Sequence, residues 1–127
     1  MYSKKIIKRF ENPRFVGELK NPDAVGEVGN PRCGDVMRIY LKIENGKIKD
    51  VKFKTYGCIM AIVASDAMCE LALGKTLEEA GKISSYDIIS KMGGKVPTIK
   101  VHCSVLGMQA LKKAIDNYGK NNKKIYT

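Results

Sequence analysis

The chain has 127 residues and a net charge of +10, from 23 Lys and Arg against 13 Asp and Glu. Its 44% hydrophobic and 28% charged residues suit one soluble globular domain with room for a real core. No apolar run is long enough to span a bilayer, which excludes an integral membrane protein built of helices. The start, Met1-Tyr2-Ser3-Lys4-Lys5, leads into an amphipathic stretch rather than a signal peptide, so the cytoplasm is the expected location. The positive balance favours acidic partners without naming them.

Ser3 can cap a short helix to about Phe10, with Ile6, Ile7 and Phe10 on its apolar side. Asn12-Pro13 stops it. From Arg14 to Pro31 the chain is rich in Gly, Pro and Asn and reads as irregular, with one edge strand around Ala24–Val28. Val36–Glu44 and Ile48–Tyr56 are predicted strands, joined at Asn45-Gly46, a strong hairpin signal. Met37, Ile39, Leu41 and Ile43 form the apolar face of the first strand, and Val51, Phe53 and Thr55 belong on the same face of the second. A plain two-residue turn would set Lys52 and Lys54 among these apolar residues. A three-residue loop, or a one-residue bulge near Lys49-Asp50, pairs Leu41 with Val51 and Ile39 with Phe53 instead. Gly57 then faces Asp35, and Cys33 and Cys58 come together at the open end of the hairpin. Arg38, Tyr40, Lys42, Lys52 and Lys54 fall on the other face, which reads as the wet side of a one-sided sheet.

Cys58–Leu73 reads as an apolar, buried helix stopped by Gly74. Thr76-Leu77-Glu78-Glu79 is a capping box opening a short helix. Ser84 or Ser85 caps another, ending at Gly93-Gly94. Val96–Val101 is an extended approach to His102-Cys103. A last helix is expected from about Ser104 to Tyr118, ended by Gly119. This gives one domain over 1–119 and a basic, flexible tail over 120–127.

Four cysteines could form two disulfides, but the absence of a signal peptide and the ample core argue for ligands or reactive thiols. Cys33 stands two residues before Asp35 in Gly29-Asn30-Pro31-Arg32-Cys33-Gly34-Asp35. Cys58 follows Gly57 where strand gives way to helix, and Cys103 lies between His102 and Ser104. Three thiolates with one carboxylate or imidazole complete a tetrahedral set for zinc, or supply the terminal ligands of a [2Fe–2S] cluster. Cys58 and Cys103 also stand at helix starts, where the macrodipole favours thiolate. Cys69 is the control: eleven residues after Cys58 on one helix, it lies about 16 Å along the axis and cannot share the ion.

Tyr2-Ser3-Lys4-Lys5, Glu11-Asn12-Pro13-Arg14, the Cys33 stretch, Phe53-Lys54-Thr55-Tyr56-Gly57-Cys58, Gly74-Lys75-Thr76 and Lys100-Val101-His102-Cys103-Ser104 cover nearly the whole chain in order. Together they resemble the IscU and NifU N-terminal scaffold proteins of iron–sulfur cluster assembly. The resemblance implies an α+β fold of the SufE/NifU type, with a small antiparallel sheet of about three strands packed by helices. It implies a scaffold, not an enzyme, on which Cys33, Cys58 and Cys103 hold a transient [2Fe–2S] cluster before its transfer to apoproteins. Iron and persulfide sulfur would be supplied, the sulfur by a cysteine desulfurase with Cys103 as its acceptor. Asp35 matches the carboxylate that keeps such clusters labile, and His102 is an alternative fourth ligand. An oxygen or imidazole ligand should release iron more readily than a fourth thiolate.

Two departures stand out. Where the family has a serine-rich helix start after the second cysteine, this chain has Ile59-Met60-Ala61-Ile62-Val63-Ala64-Ser65-Asp66, so the site's surroundings should be more apolar. The family's chaperone-binding Leu-Pro-Pro-Val-Lys appears as Val96-Pro97-Thr98-Ile99-Lys100, one proline short of what an Hsp70-type chaperone would read. The alternative function is a zinc-dependent sulfurtransferase of the SufU type, with zinc in the same site. Such chains usually have an insertion between the second and third cysteines and an arginine where His102 stands, and neither feature is present. A nucleic-acid-binding reading ranks third, resting only on charge and the Arg38/Tyr40/Lys42 face. Either a monomer or a homodimer is compatible with the sequence.

Overall fold

The computed structural model describes residues 4–30, 35–57, 59–93 and 102–125. Eight elements follow in order: α1 (Lys4–Glu11), β1 (Ala24–Asn30), β2 (Asp35–Glu44), β3 (Lys47–Tyr56), α2 (Ile59–Ala72), α3 (Leu77–Gly81), α4 (Ser85–Met92) and α5 (His102–Ile125). The three strands form one antiparallel sheet in the order β1-β2-β3, which makes the fold α+β.

The β2–β3 hairpin keeps its apolar face by the bulge. Asn45 and Gly46 both take left-handed φ, 56° and 75°, as the tight turn that matches strand twist requires. Ile43 pairs with Ile48 but Lys42 with Asp50, so Lys49 is left over as the bulged residue. From there Leu41 faces Val51 and Ile39 faces Phe53, and all four are buried. Against this face lies α2, buried on almost every side from Met60 to Ala72. Its alanines at 61, 64, 67 and 72 let neighbouring elements approach closely.

The closest approach is elsewhere, between α5 and β1. A methyl group on Gly26 would stand 2.3 Å from the Ala110 carbonyl oxygen and 2.4 Å from the Ala114 nitrogen. Only a residue without Cβ lets the helix lie on the strand here. Asn117 Nδ2 donates to the Val25 carbonyl at 2.7 Å and fixes the next turn.

Both expected caps are present. Thr76 with Glu79, and Ser84 with Asp87, form reciprocal capping boxes, and Gly93 closes α4 with φ 124°. Three expectations need correction. Gly119 does not end the last helix, which starts at His102 and continues to Ile125. A glycine lowers helix stability by about 1 kcal/mol relative to alanine but does not stop a helix without left-handed geometry and capping bonds. The segment 120–127 therefore begins inside a helix. Second, part of the irregular 14–31 stretch pairs with the sheet: Phe53 N donates to the Phe15 carbonyl and Gly17 N to the Phe53 carbonyl, both at 2.9 Å. Third, Tyr40 is not on a wet face; it is buried between Val25 and Lys52 on the neighbouring strands.

Three of the four cations of that outer face are matched by carboxylates, Lys52 being the exception among the described residues. Arg38 pairs with Glu27 at 2.6 Å, Lys42 with Asp23 at 3.7 Å, and Lys54 with Glu18. Such pairs add little stability. They do remove the face as a basic surface, and with it the local basis of the nucleic-acid reading.

Candidate cluster site

Cys33 and Cys58 lie outside the described residues, as does the Val96–Lys100 segment. For Asp35, His102 and Cys103 the backbone is described, at element starts. What the structure adds is where the flanking elements end.

Asn30 at the end of β1 pairs with Asp35 at the start of β2. The four residues 31–34 that carry Cys33 therefore join two paired strands at one edge of the sheet. Val36 next to Asp35 pairs with Tyr56, the last residue of β3. Only Gly57 and Cys58 separate Tyr56 from Ile59, where α2 begins. Both cysteines are thus bounded on the chain by residues at the same end of the sheet, as the bulged register requires.

The direction of α5 brings in the third segment. A methyl on Gly107 would stand 3.7 Å from Met37 Sδ, near the start of β2. Farther along, Ala110 and Ala114 lie on Gly26, and Asn117 reaches Val25. The helix therefore runs away from the 31–34 connection as it proceeds. Its first turn, His102-Cys103, points back towards that connection, about 7 Å of helix beyond Gly107. Helix starts are favourable places for thiolates because their free N–H groups carry partial positive charge.

The first turn of α2, next to Cys58 in the chain, is apolar. Ile59 and Ile62 are half-buried in the first turn of α2. Ile62, Val16, Phe53 and Tyr56 line a cleft of about 250 Å3, and Tyr56 is 70% exposed. Cys69 is fully buried in the core. Burial pushes its thiol pKa well up, and the nearby Asp66 charge adds to the effect, so it stays neutral. Among the described residues no group of three or more His, Cys, Asp or Glu side chains stands together as a metal would need.

One polar feature escapes sequence reasoning. Asp66 is 1% exposed and accepts from Arg9 Nη1 at 2.8 Å, Arg14 N at 2.8 Å and Phe15 N at 2.9 Å. These three bonds fasten α1 and residues 14–15 onto α2. Glu70, one turn on, meets Arg9 at 3.1 Å and Lys91 at 2.7 Å. Burial works against its charged form, but the bonds and charges of Lys91 and Arg9 outweigh this and hold its pKa below the ordinary 4.5. The available signal was two acids four residues apart in an otherwise apolar helix.

Fold and topology define a class first: a small α+β domain whose three-stranded antiparallel sheet is packed by helices, with α2 and α5 both starting at the Asn30–Asp35 end of the sheet. The family follows from comparison. Residues 1–125 match the model of the NifU-like N terminal domain, and the chain belongs to that family. Iron-sulfur cluster assembly scaffold protein IscU 1 of Archaeoglobus fulgidus is 48% identical over 125 residues, covering 98% of this chain and 81% of that protein. A Drosophila melanogaster relative named iron-sulfur cluster assembly enzyme IscU is 43% identical over 130 residues, covering 98% of this chain and 83% of its own. Among solved structures, the putative iron-sulfur cluster assembly scaffold protein for the SUF system of Fervidobacterium islandicum matches with a TM-score of 0.77. It is 28% identical and covers 90% of this chain and 96% of its own.

Proposed function

We propose that this protein is a scaffold on which a [2Fe–2S] cluster is assembled from iron and persulfide sulfur and then passed to apoproteins. The observation that supports the reading is that the end of β1, the start of β2 and the end of β3 pair at one end of the sheet, towards which the start of α5 is directed, in a chain 48% identical to a protein named IscU scaffold. Cys33, Cys58 and Cys103 are the thiolate ligands in this reading. Asp35 or His102 completes the set and keeps the cargo releasable. The cluster is cargo, so the protein acts by binding and release and not as an enzyme in the ordinary sense.

Cys103 is the sulfur acceptor. Its thiolate attacks the outer sulfur of a desulfurase persulfide, the S–S bond of the donor breaks, and the donor leaves as thiolate. Each sulfane sulfur then needs two electrons to enter the cluster as sulfide, so an external reductant takes part. Partners in this reading are a cysteine desulfurase, apo iron–sulfur proteins, and an Hsp70-type chaperone only as far as Val96–Lys100 allows. The location assigned is the cytoplasm; among the described residues no helix is long and apolar enough to cross a membrane.

Zinc-closed sulfur transfer is the second reading, favoured by the likeness in fold to the SUF-system protein. Its 28% identity against 48% for the IscU relative ranks it second. The test is anaerobic reconstitution with iron, a cysteine desulfurase, cysteine and reductant, followed by absorbance and Mössbauer spectra and a timed handover to an apo-ferredoxin. A [2Fe–2S] spectrum that moves to the acceptor is expected. No cluster, with zinc retained and persulfide on Cys103, would reverse the order.

A further inference from the structure

The net charge of +10 is not spread evenly. On the outer sheet face Arg38, Lys42 and Lys54 each have a carboxylate partner, but the cleft between α1, α2 and α4 keeps a surplus of cations. This cleft has a volume of about 620 Å3 and is open to solvent on one side. Five cations line it: Lys5 and Lys8 on α1, Arg9 behind them, Arg14, and Lys91 on α4. Among the described residues two carboxylates, Asp66 and Glu70, face them from α2, which leaves a surplus of three positive charges.

The charges are arranged by depth. Asp66 is buried and committed to Arg9, and Glu70 already draws Arg9, Lys91 and, at 3.8 Å, Arg14. The unmatched charge therefore sits on the rim. Lys5 and Lys8 are exposed and have no carboxylate partner among the described residues, and Arg14 is 67% exposed at its side chain. A compact anion settling on the floor would meet two carboxylates, which repel it. An extended segment lying across the rim would meet Lys5, Lys8 and Arg14 without reaching the floor. Asn12 and Ser90 offer hydrogen bonds along the same walls.

We propose that this cleft docks an acidic segment of a partner protein, with Lys5 and Lys8 as its principal contacts. No cysteine is among the described residues that line the cleft, so the inference does not rest on the cluster reading and can fail without it. Glu70 lies below the rim as a fixed negative charge that opposes the docked segment.

The probe is a fluorescein-labelled glutamate-rich peptide, titrated by anisotropy at low salt into the full chain. Wild type should bind, and Lys5→Glu with Lys8→Glu should weaken binding by at least about tenfold. Lys112→Glu with Lys113→Glu makes the same change of net charge on an exposed part of α5 and should cost less than about twofold. Glu70→Gln should tighten binding by about threefold, since it removes a negative charge below the rim and releases Lys91. Circular dichroism checks that each variant is folded, and amide shifts at Lys8, Asn12 and Lys91 should follow the titration. Equal weakening by the two double variants would reduce the effect to bulk charge and overturn the proposal. So would absence of binding to wild type, displacement of the peptide by pyrophosphate at equal concentration, or tighter, Lys5- and Lys8-dependent binding of duplex DNA.

Discussion

The two ends of the sheet are built differently. At the Asn45-Gly46 end the backbone is tied down. Ile48 N donates to the Lys75 carbonyl at 2.9 Å, Gly74 N to the Ile48 carbonyl at 2.8 Å, and Leu77 N to the Gly46 carbonyl at 3.3 Å. A left-handed turn, a bulge and a capping box complete that end. At the other end, strands stop at Asn30, Asp35 and Tyr56, and two helices start at Ile59 and His102. The first end sets the register, and the register decides which residues the second end brings together. A single slip near Lys49 would turn the apolar face outward and move Tyr56 away from Val36.

This division separates loss of function from loss of stability. The largest effect belongs to Cys33→Ala, at the end where elements stop. It should abolish the reconstituted cluster chromophore and leave the melting temperature of the apoprotein nearly unchanged. A full cluster yield from that variant would remove Cys33 from the ligand set. Gly26→Ala comes next, at the α5–β1 contact that links the two ends. The added methyl must push Ala110 and Ala114 away, at a cost of about 3 kcal/mol in chemical denaturation. It should also lower cluster yield, because α5 carries His102 and Cys103 in its first turn. A destabilised variant with full yield would show that the position of α5 on β1 does not set the site. Gly46→Ala should cost only about 1 kcal/mol, the strain of a left-handed alanine, and leave cluster formation intact.

The same contrast explains what the sequence made legible. The hairpin register could be read because Asn45-Gly46 allows few turns and the apolar residues from Met37 to Phe53 keep strict alternation across the bulge. The bounds of α2 could be read for a related reason, since Gly57 and Gly74 mark them locally. The pairing of 15–17 with β3 could not, because it depends on Asp66, 51 residues from Phe15, accepting from its backbone. Nothing near Phe15 signals that partner. Tyr40 was misjudged because alternation assigns a face but not its cover, and here Val25 and Lys52 supply the cover. Gly119 was misread because glycine is a frequent stop signal whose effect depends on the bonds that follow it.

The smallest effect is a pH dependence in the α1–α2–α4 network, away from both ends. The folded-state pKa of Glu70 lies below its ordinary 4.5, so its contribution to stability is complete above that value and disappears as pH falls through the lowered one. Glu70→Gln should therefore be less stable than wild type at neutral pH, by under about 1 kcal/mol given the partial exposure of the carboxylate. The two proteins should converge in acid, as urea midpoints across pH 7 to pH 3 would show. A constant gap over that range would mean that Glu70 acts through packing and not through its charge. Convergence would identify Glu70 as an electrostatic tie between α1, α2 and α4, held by charges that a partner carboxylate could also recruit. Such a tie weakens by degrees with acid or salt, whereas the backbone bonds at the Asn45-Gly46 end open only with the sheet itself.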